Sequence, residues 1–315
     1  MIITATGSAL PHLSVGNDEL TKFLDTSDEW IVSRTGIRSR RVLTDETLTD
    51  LAARAAGNAL DSAGITADEI DFILCSTVQG PYITPGLACL VQGRIGASCP
   101  CLDVNGACAG FVYALDWADA YLKAGKARRI LVIAAEELSR LCDWEDRATA
   151  VLFGDGAGAV VVESGDGLLA SRFTTRANET ALWAESQSSN SPFAPPRKSH
   201  TKLTMQGQEV YKFAVSSASA DIRAVLEQAN VKADDVSMFL LHQANMRIVE
   251  AVRARMKQPE EKFPTCIQHT GNVSSACIPV LLDEINREGR LKHGDLLMLS
   301  AFGAGLVTGA CLLRW

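Results

Sequence analysis

The chain carries a weak copy of itself. Ala67-Asp68-Glu69-Ile70-Asp71 followed by FILCST returns as Ala233-Asp234-Asp235-Val236-Ser237 followed by MFLLHQ, and Lys126 before RRILVIAA returns as Lys292 before HGDLLMLSA. Both pairs lie 166 positions apart. Two separated matches at one offset indicate duplication, which constrains the fold because equivalent elements must recur in equivalent places. A chain of 315 residues can bury one large core or two smaller ones. The repeat favours two related halves in one compact unit, residues 1–166 and 167–315.

In the first half, CPCLDV (99–104) reads as a strand and Asn105-Gly106-Ala107 as a tight turn. CAGFVYALDWADAYLKA then reads as a buried helix, apolar almost all round in its first half and ending against Gly125 as a C′ cap. Cys108 therefore opens a helix, where orphan N–H groups and the positive end of the macrodipole favour thiolate over thiol. On local sequence alone a buried structural cysteine competes evenly with that reading. Carried forward by the offset, Cys108 lands on Ser274, beside Gly271-Asn272 and directly before the helical run SSACIPVLLDEINREG. His242 closes the apolar run MFLLH and precedes QANMRIVEAVRARMK, whose Met246, Val249 and Val252 have helical spacing. It stands at the carboxyl end of a strand, where α/β sheets build their sites. A lone histidine there is more often structural. With Cys108 and Asn272 at equivalent strand-to-helix turns, a catalytic role is favoured.

At 47% hydrophobic and 21% charged, the composition is that of an ordinary globular protein. No stretch approaches the roughly 20 apolar residues that span a bilayer. The start MIITATGSALP lacks a basic segment and a cleavable apolar one, and reads as the first strand of a cytoplasmic protein. Nine cysteines without an export signal point to reduced thiols. Cys99-Pro100-Cys101 has no second ligand pair at zinc spacing and the five histidines are scattered, so no metal site is expected. The net charge of −7 disfavours nucleic acid, whose phosphates need a basic surface. Gly154-Asp155-Gly156-Ala157-Gly158 looks like a phosphate loop, but a strand, AVVVE, follows it where dinucleotide fingerprints open a helix. It reads as a backbone-constrained turn. Residues 176–202, rich in Ser, Asn and Pro, read as a long surface excursion between the halves.

Six stretches together resemble the β-ketoacyl-acyl-carrier-protein synthase III family of the thiolase-like superfamily. They are DTSDEWIVSRTGIRSRR (25–41), DVNGACAGFVYAL (103–115), DRATAVLFGDGAGAVVVE (146–163), HQANMRI (242–248), HTGNVSSACIP (269–279) and AFGAGLVTGA (301–310). Their order and spacing are far more specific than any one alone. The resemblance implies an α/β, thiolase-like, five-layered α-β-α-β-α fold built from two duplicated halves, a homodimer, and an active site of Cys108, His242 and Asn272. It implies acyl-CoA and malonyl-acyl-carrier protein as substrates, with no cofactor.

Decarboxylative Claisen condensation of two thioesters needs a nucleophile, an enolate stabiliser and an oxyanion hole. Cys108 suits the first task. A neutral His242 donating from Nε2 and the Asn272 amide suit the second, and backbone N–H groups of Cys108 and of the glycine-rich turn near Ala304 suit the third. By the resemblance, Trp30 and Arg147 sandwich the CoA adenine, Arg34 contacts CoA, and Phe302 packs near the sulfur. Lys212, Arg247 and Arg255 resemble a surface that docks the acidic carrier protein. Arg253 and Lys257 extend it, with a solvated helix face as the competing reading for these two.

Departures bear on the substrate. Many relatives have Thr, Ala and Ser where this chain has Val273, Ser275 and Cys277, and Gly, Thr and Trp at Ala304, Val307 and Thr308. Ala304 demands a negative φ, and Thr308 removes bulk near the site. Thr84, before Pro85, stands where a Phe often closes the acyl tunnel, so a longer or branched primer is expected. Two alternatives remain: an acyltransferase or condensing enzyme of secondary metabolism using the same three residues, and a non-catalytic partner subunit, which the intact triad argues against.

Overall fold

The computed structural model describes residues 1–186, 191–193, 195 and 199–315. The first half contributes β1 (Ile2–Ala9), then β2 (Leu13–Gly16), α1 (Asn17–Leu20), α2 (Asp28–Thr35) and β3 (Ser39–Val42). It continues through α3 (Leu48–Ala63), β4 (Phe72–Ser76), α4 (Leu87–Ile95), β5 (Cys101–Val104), α5 (Gly110–Lys123), β6 (Arg129–Glu137), α6 (Arg147–Ala150) and β7 (Asp155–Glu163). The second adds β8 (Leu168–Asn178), the short pair β9 (Leu182–Trp183) and β10 (Thr204–Met205), α7 (Gly207–Ala229), β11 (Met238–Leu241) and α8 (Met246–Met256). It ends with α9 (Ile267–Thr270), α10 (Cys277–Arg287), β12 (Leu296–Gly303) and β13 (Gly305–Arg314).

Two sheets repeat one plan. The first runs β1-β7-β6-β4-β5 and the second β8-β13-β12-β11, each with two antiparallel pairings followed by a parallel one. The strand that extends the first sheet, β5, has no strand counterpart, because α9 occupies the equivalent stretch. Strand residues alternate between two buried faces, so the runs are apolar throughout. In the first sheet, Ile73, Leu131 and Val161 pack on Leu51, Ala52 and Ala55 of α3 and Val91 of α4. Leu74, Val132 and Val160 face the other way, toward Phe111 and Leu115 of α5 and Leu281 and Ile285 of α10. Leu240, Leu299 and Cys311 of the second sheet close the same central layer from its far side. Phe239, Met298 and Leu312 face outward onto Ile222 and Val225 of α7 and Val249 of α8. The order is helices, sheet, helices, sheet, helices: the thiolase-like five-layered α/β fold. Among the described residues no helix is long and apolar enough to cross a membrane, and no cluster of metal-ligating side chains occurs.

Three local expectations are corrected. The 154–158 motif is not a turn: β7 already begins at Asp155, and Gly156 and Gly158 pair with Glu136 and Ala134 inside the sheet. A Cβ on Gly158 would lie 2.8 Å from Val280 N, so this glycine lets α10 lie directly on the strand. The 176–202 excursion does not separate the halves, since residues 176–178 belong to β8, already in the second sheet. Of that segment, 187–190, 194 and 196–198 lie outside the described residues. Finally, Cys108 does not open α5, which begins two residues later at Gly110.

Candidate active site

Cys108 sits in a turn closed by backbone hydrogen bonds. After β5 the Asn105 side chain accepts from Ala107 N at 3.1 Å, and Ala107 takes a left-handed φ of 46°. Bonds from Ala109 N to Gly106 O and from Gly110 N to Ala107 O close the turn at 3.1 and 3.0 Å. Glycine permits two close approaches. A Cβ on Gly110 would strike Ser76 Oγ at 2.1 Å, and one on Gly303, at the end of β12, would lie 2.7 Å from Cys108 N.

The second half supplies the facing residues. His242 follows β11, donates its backbone N–H to Ser300 O at 2.8 Å, and sets its ring edge-on to Phe302 with centroids 5.1 Å apart. Asn272 is bound through its backbone to Leu152 O and Gly154 N at 2.8 and 3.0 Å, and its side-chain oxygen accepts from Ser274 N at 2.9 Å. Ser274, also left-handed with φ 49°, brings Oγ to 3.3 Å from Cys108 Sγ. The two positions related by the repeat therefore meet face to face. Both stand at the entry to a central-layer helix, α5 or α10.

A cavity of about 610 Å³ is lined at its buried end by Cys108, His242, Asn272, Phe302 and Gly303, and at its exposed end by Trp30, Arg34, Arg147, Lys212 and Arg247. A larger, more open depression of about 880 Å³, lined by Thr174, Glu209 and Leu306, shares Lys212 and Phe213 with it but contains none of the first three.

Burial dominates the electrostatics. His242 is pushed down to about 3 by desolvation alone, so it is neutral, and its Nδ1 has no hydrogen-bond partner. Burial pushes the Cys108 thiol up to about 12, opposed by the Ser274 hydroxyl. That rise from 9.0 is worth about 4 kcal/mol against the thiolate, more than the ~2 kcal/mol a helix N-terminus can return. Burial at this turn therefore opposes the thiolate that the helix-end position favours. Sγ still opens to the cavity, since Cys108 is only half-buried.

Other residues fall out unevenly. The Arg147 guanidinium lies 4.8 Å from the Trp30 ring centroid and donates to Asp25 O at 2.7 Å, with Arg34 at 6.0 Å from the same ring. A base sandwiched between them needs about twice the ordinary contact distance of 3.5–4.0 Å, so Arg147 must swing away to admit one. Arg247 sits over Tyr211 at 5.8 Å, in the first turn of α8. Arg253 is paired with Glu250 at 2.6 Å, Arg255 donates to Val215 O at 3.2 Å, and Lys257 caps the helix in a left-handed conformation; none of the three lines the cavity. Thr308 is fully buried opposite Phe302, its hydroxyl 2.6 Å from that of Thr174. Ala304 avoids the left-handed region, as its side chain requires, but Gly303 rather than Ala304 touches the nucleophile. Thr84 stands apart from the others. It lies exposed in the loop beside Tyr82 and Ile83 and does not reach its own chain's cavity. Sequence reasoning missed Gly303 and Glu136, a fully buried carboxylate that accepts from Ser275 Oγ at 2.6 Å. A charged residue ending the apolar run RILVIAA was the available signal.

Residues 102–177 match the family model for 3-oxoacyl-[acyl-carrier-protein (ACP)] synthase III, and residues 226–315 the model for its C-terminal part. The beta-ketoacyl-[acyl-carrier-protein] synthase III of Aquifex aeolicus (strain VF5) is 44% identical over 318 residues, covering 99% of each chain. The crystal structure of the Aquifex aeolicus VF5 enzyme superposes with a TM-score of 0.94 at 43% identity, over 100% of this chain and 99% of that one. The priming beta-ketosynthase from the R1128 polyketide biosynthetic pathway follows with a TM-score of 0.93 at 34% identity, over 99% and 95% of the two chains. Matched in sequence along nearly its whole length and in structure in all five layers, the chain belongs to the 3-oxoacyl-[acyl-carrier-protein] synthase III family.

Proposed function

We infer that this chain takes an acyl group from acyl-CoA onto Cys108 and condenses it with malonyl-acyl-carrier protein, releasing CO2, in the reaction that initiates fatty acid synthesis. The observation that carries this reading is the single buried cavity end shared by Cys108, His242 and Asn272, opening onto Trp30, Arg34 and Arg147. Cys108 attacks the thioester carbonyl, while backbone N–H groups at the turn it shares with Gly303 receive the oxyanion. After CoA leaves, the malonyl thioester carbonyl lies against His242 and Asn272. A neutral imidazole and an amide each donate to that oxygen as CO2 departs and charge grows on it. The low pKa of His242 suits a donor and excludes a resting imidazolium.

Lys212 and Arg247, exposed at the mouth, are read as the first contacts for an acidic carrier protein. Arg253 and Arg255, already engaged by Glu250 and α7, serve as a weaker extension. The same reading takes the chain as two halves, 1–166 and 167–315, acting as a cytoplasmic homodimer without cofactor. An exposed Ile83 (95%) and Tyr82 (61%) support a covered loop in that dimer, where Thr84 would join the interface. A second reading, priming of a secondary pathway, draws on the likeness to the R1128 ketosynthase. Mass analysis of carrier proteins after incubation with acyl-CoA, malonyl thioester and enzyme tests both. A β-ketoacyl carrier protein is expected, and its identity separates the pathways. An unextended carrier with every primer would contradict the condensing role.

A further inference from the structure

Four residues other than glycine are left-handed among the described residues. Asn230 and Lys257 end α7 and α8, where such a conformation is ordinary. The other two, Ala107 and Ser274, stand at the reacting sulfur, with φ of 46° and 49°. A Cβ disfavours this region, and residues held in it cluster at functional sites. Ala107 precedes the nucleophile and shapes its turn. Ser274 belongs to the other half of the chain. It is fully buried at the entry to α10 and meets Cys108 through its side chain.

The two donors of Ser274 face different members of the site. Its backbone N–H donates to Asn272 Oδ1 at 2.9 Å, and the Cys277 thiol donates to the same oxygen at 3.9 Å. With that oxygen engaged, the Asn272 amide N–H groups are left for the cavity. The Ser274 hydroxyl donates to Cys108 Sγ at 3.3 Å. A thiol sulfur is a weak acceptor and a thiolate is a full anion, so this bond strengthens as charge grows on the sulfur. Burial is the largest influence opposing that charge, and the Ser274 hydroxyl is a side chain that counters it.

We propose that Ser274 is a further catalytic residue: its hydroxyl donates to the Cys108 sulfur whenever that atom is an anion, at attack on acyl-CoA and again at departure from the acyl group. In the first half-reaction the thiol proton passes to solvent at the cavity mouth and the sulfur electron pair forms the C–S bond. CoA leaves as thiolate and takes up a solvent proton. In the second, the electron pair freed by loss of CO2 forms the C–C bond, and the C–S bond breaks onto sulfur. The sulfur departs as a thiolate held by the same hydroxyl and is reprotonated from solvent. Ser274 keeps its own proton throughout, and one solvent proton is consumed per turnover. Neutral His242 and Asn272 stay free for the thioester oxygen.

The proposal rests on Cys108 as the acyl-carrying nucleophile, and its test separates the hydroxyl from the fold. Ser274→Ala and Ser274→Gly both lack Oγ and keep the N–H that holds Asn272, and glycine also tolerates the left-handed backbone. A hydrogen bond to a charged partner is worth about tenfold. Both variants should form acyl-enzyme from a panel of acyl-CoA primers, and discharge it to malonyl-CoA, about three- to tenfold more slowly. Attack takes the smaller loss, because the thiolate that remains is more nucleophilic. CO2 release from malonyl-CoA alone, which draws on His242 and Asn272, should fall far less. Iodoacetamide gives a readout without substrate: by mass of the Cys108 peptide, both variants should react about threefold more slowly. Wild-type sulfur rates in Ser274→Gly would trace the loss in Ser274→Ala to the backbone and overturn the proposal. Equal losses in CO2 release and acylation overturn it in favour of a positioning role. Unchanged or faster alkylation overturns it too, since removing a bystander only opens the path to the sulfur. If Ser274→Ala folds poorly, Ser274→Gly decides. Should wild type accept no acyl group while both variants lose alkylation rate, the acyltransferase reading falls and the bond to sulfur stands.

Discussion

Gly303→Ala should damage acylation while leaving Cys108, His242 and Asn272 unsubstituted. The new Cβ would lie 2.7 Å from Cys108 N, 3.0 Å from Ala107 Cβ and 3.3 Å from Cys108 Cβ. Relaxed contacts begin near 3.5 Å, so the end of β12 and the Cys108 turn must part by about 0.8 Å. Neither yields cheaply: Gly303 is held in register with Val307, and the turn is closed by its own backbone bonds. Overpacking of this kind costs about 1–3 kcal/mol of stability. A shift approaching 1 Å at a reacting atom costs about 10²-fold in rate. Rapid-quench intact mass should therefore show acyl-enzyme forming about 10²-fold more slowly, with a lowered Tm and CoA binding retained at the Trp30 end. Gly57→Ala is the control. It lies inside α3 with nothing within 4 Å of the added Cβ, and should leave acylation unchanged while adding up to about 1 kcal/mol of stability. Wild-type acylation in Gly303→Ala would refute the close-approach argument.

His242→Ala and Asn272→Ala should each cost about 3 kcal/mol in decarboxylation of the malonyl thioester while Cys108 still accepts acyl from CoA. Equal losses in both half-reactions, or an ordinary histidine titration in the decarboxylation rate of wild type, would contradict the neutral-donor role. Arg247→Glu should raise KM for carrier protein far more than for acyl-CoA, and the wild-type interaction should weaken with salt. Arg253→Ala, removing a charge already paired with Glu250, should do less, and equivalent effects on both substrates would move Arg247 into the CoA channel. Glu136 binds its proton more tightly folded than unfolded, so its penalty to folding grows as pH rises from 4.5 toward about 7 and is constant above. Glu136→Gln should thus gain about 3 kcal/mol near pH 8 and about 2 near pH 6. A Tm difference that widens toward acid would reverse that sign.

The duplicated plan was legible because the intervals within each half stayed nearly constant, so one offset carried Cys108 to Ser274. What the offset could not say is that the two would touch. That contact depends on α5 and α10 entering the central layer from opposite sheets, a tertiary fact. The strand-end position of His242 was readable from MFLLH, but its neutrality comes from burial by residues distant in sequence. The same burial opposes the thiolate at Cys108, a contribution that local helix-end reasoning does not contain. The glycines of 154–158 looked like turn chemistry, yet Gly158 serves the approach of α10 across β7. Thr84 illustrates the opposite limit. Its neighbours in sequence matched a tunnel position, while in the folded chain it stands on the surface.

The central claim is that Cys108 carries the acyl group between two half-reactions. Peptide-resolved mass spectrometry after exposure to acyl-CoA should find the acyl mass on the Cys108 peptide of wild type. The adduct should discharge as a β-ketoacyl carrier protein when malonyl-acyl-carrier protein is added, and Cys108→Ala should show no adduct. An acyl group on another of the nine cysteines, or a stable adduct in Cys108→Ala, would contradict the account.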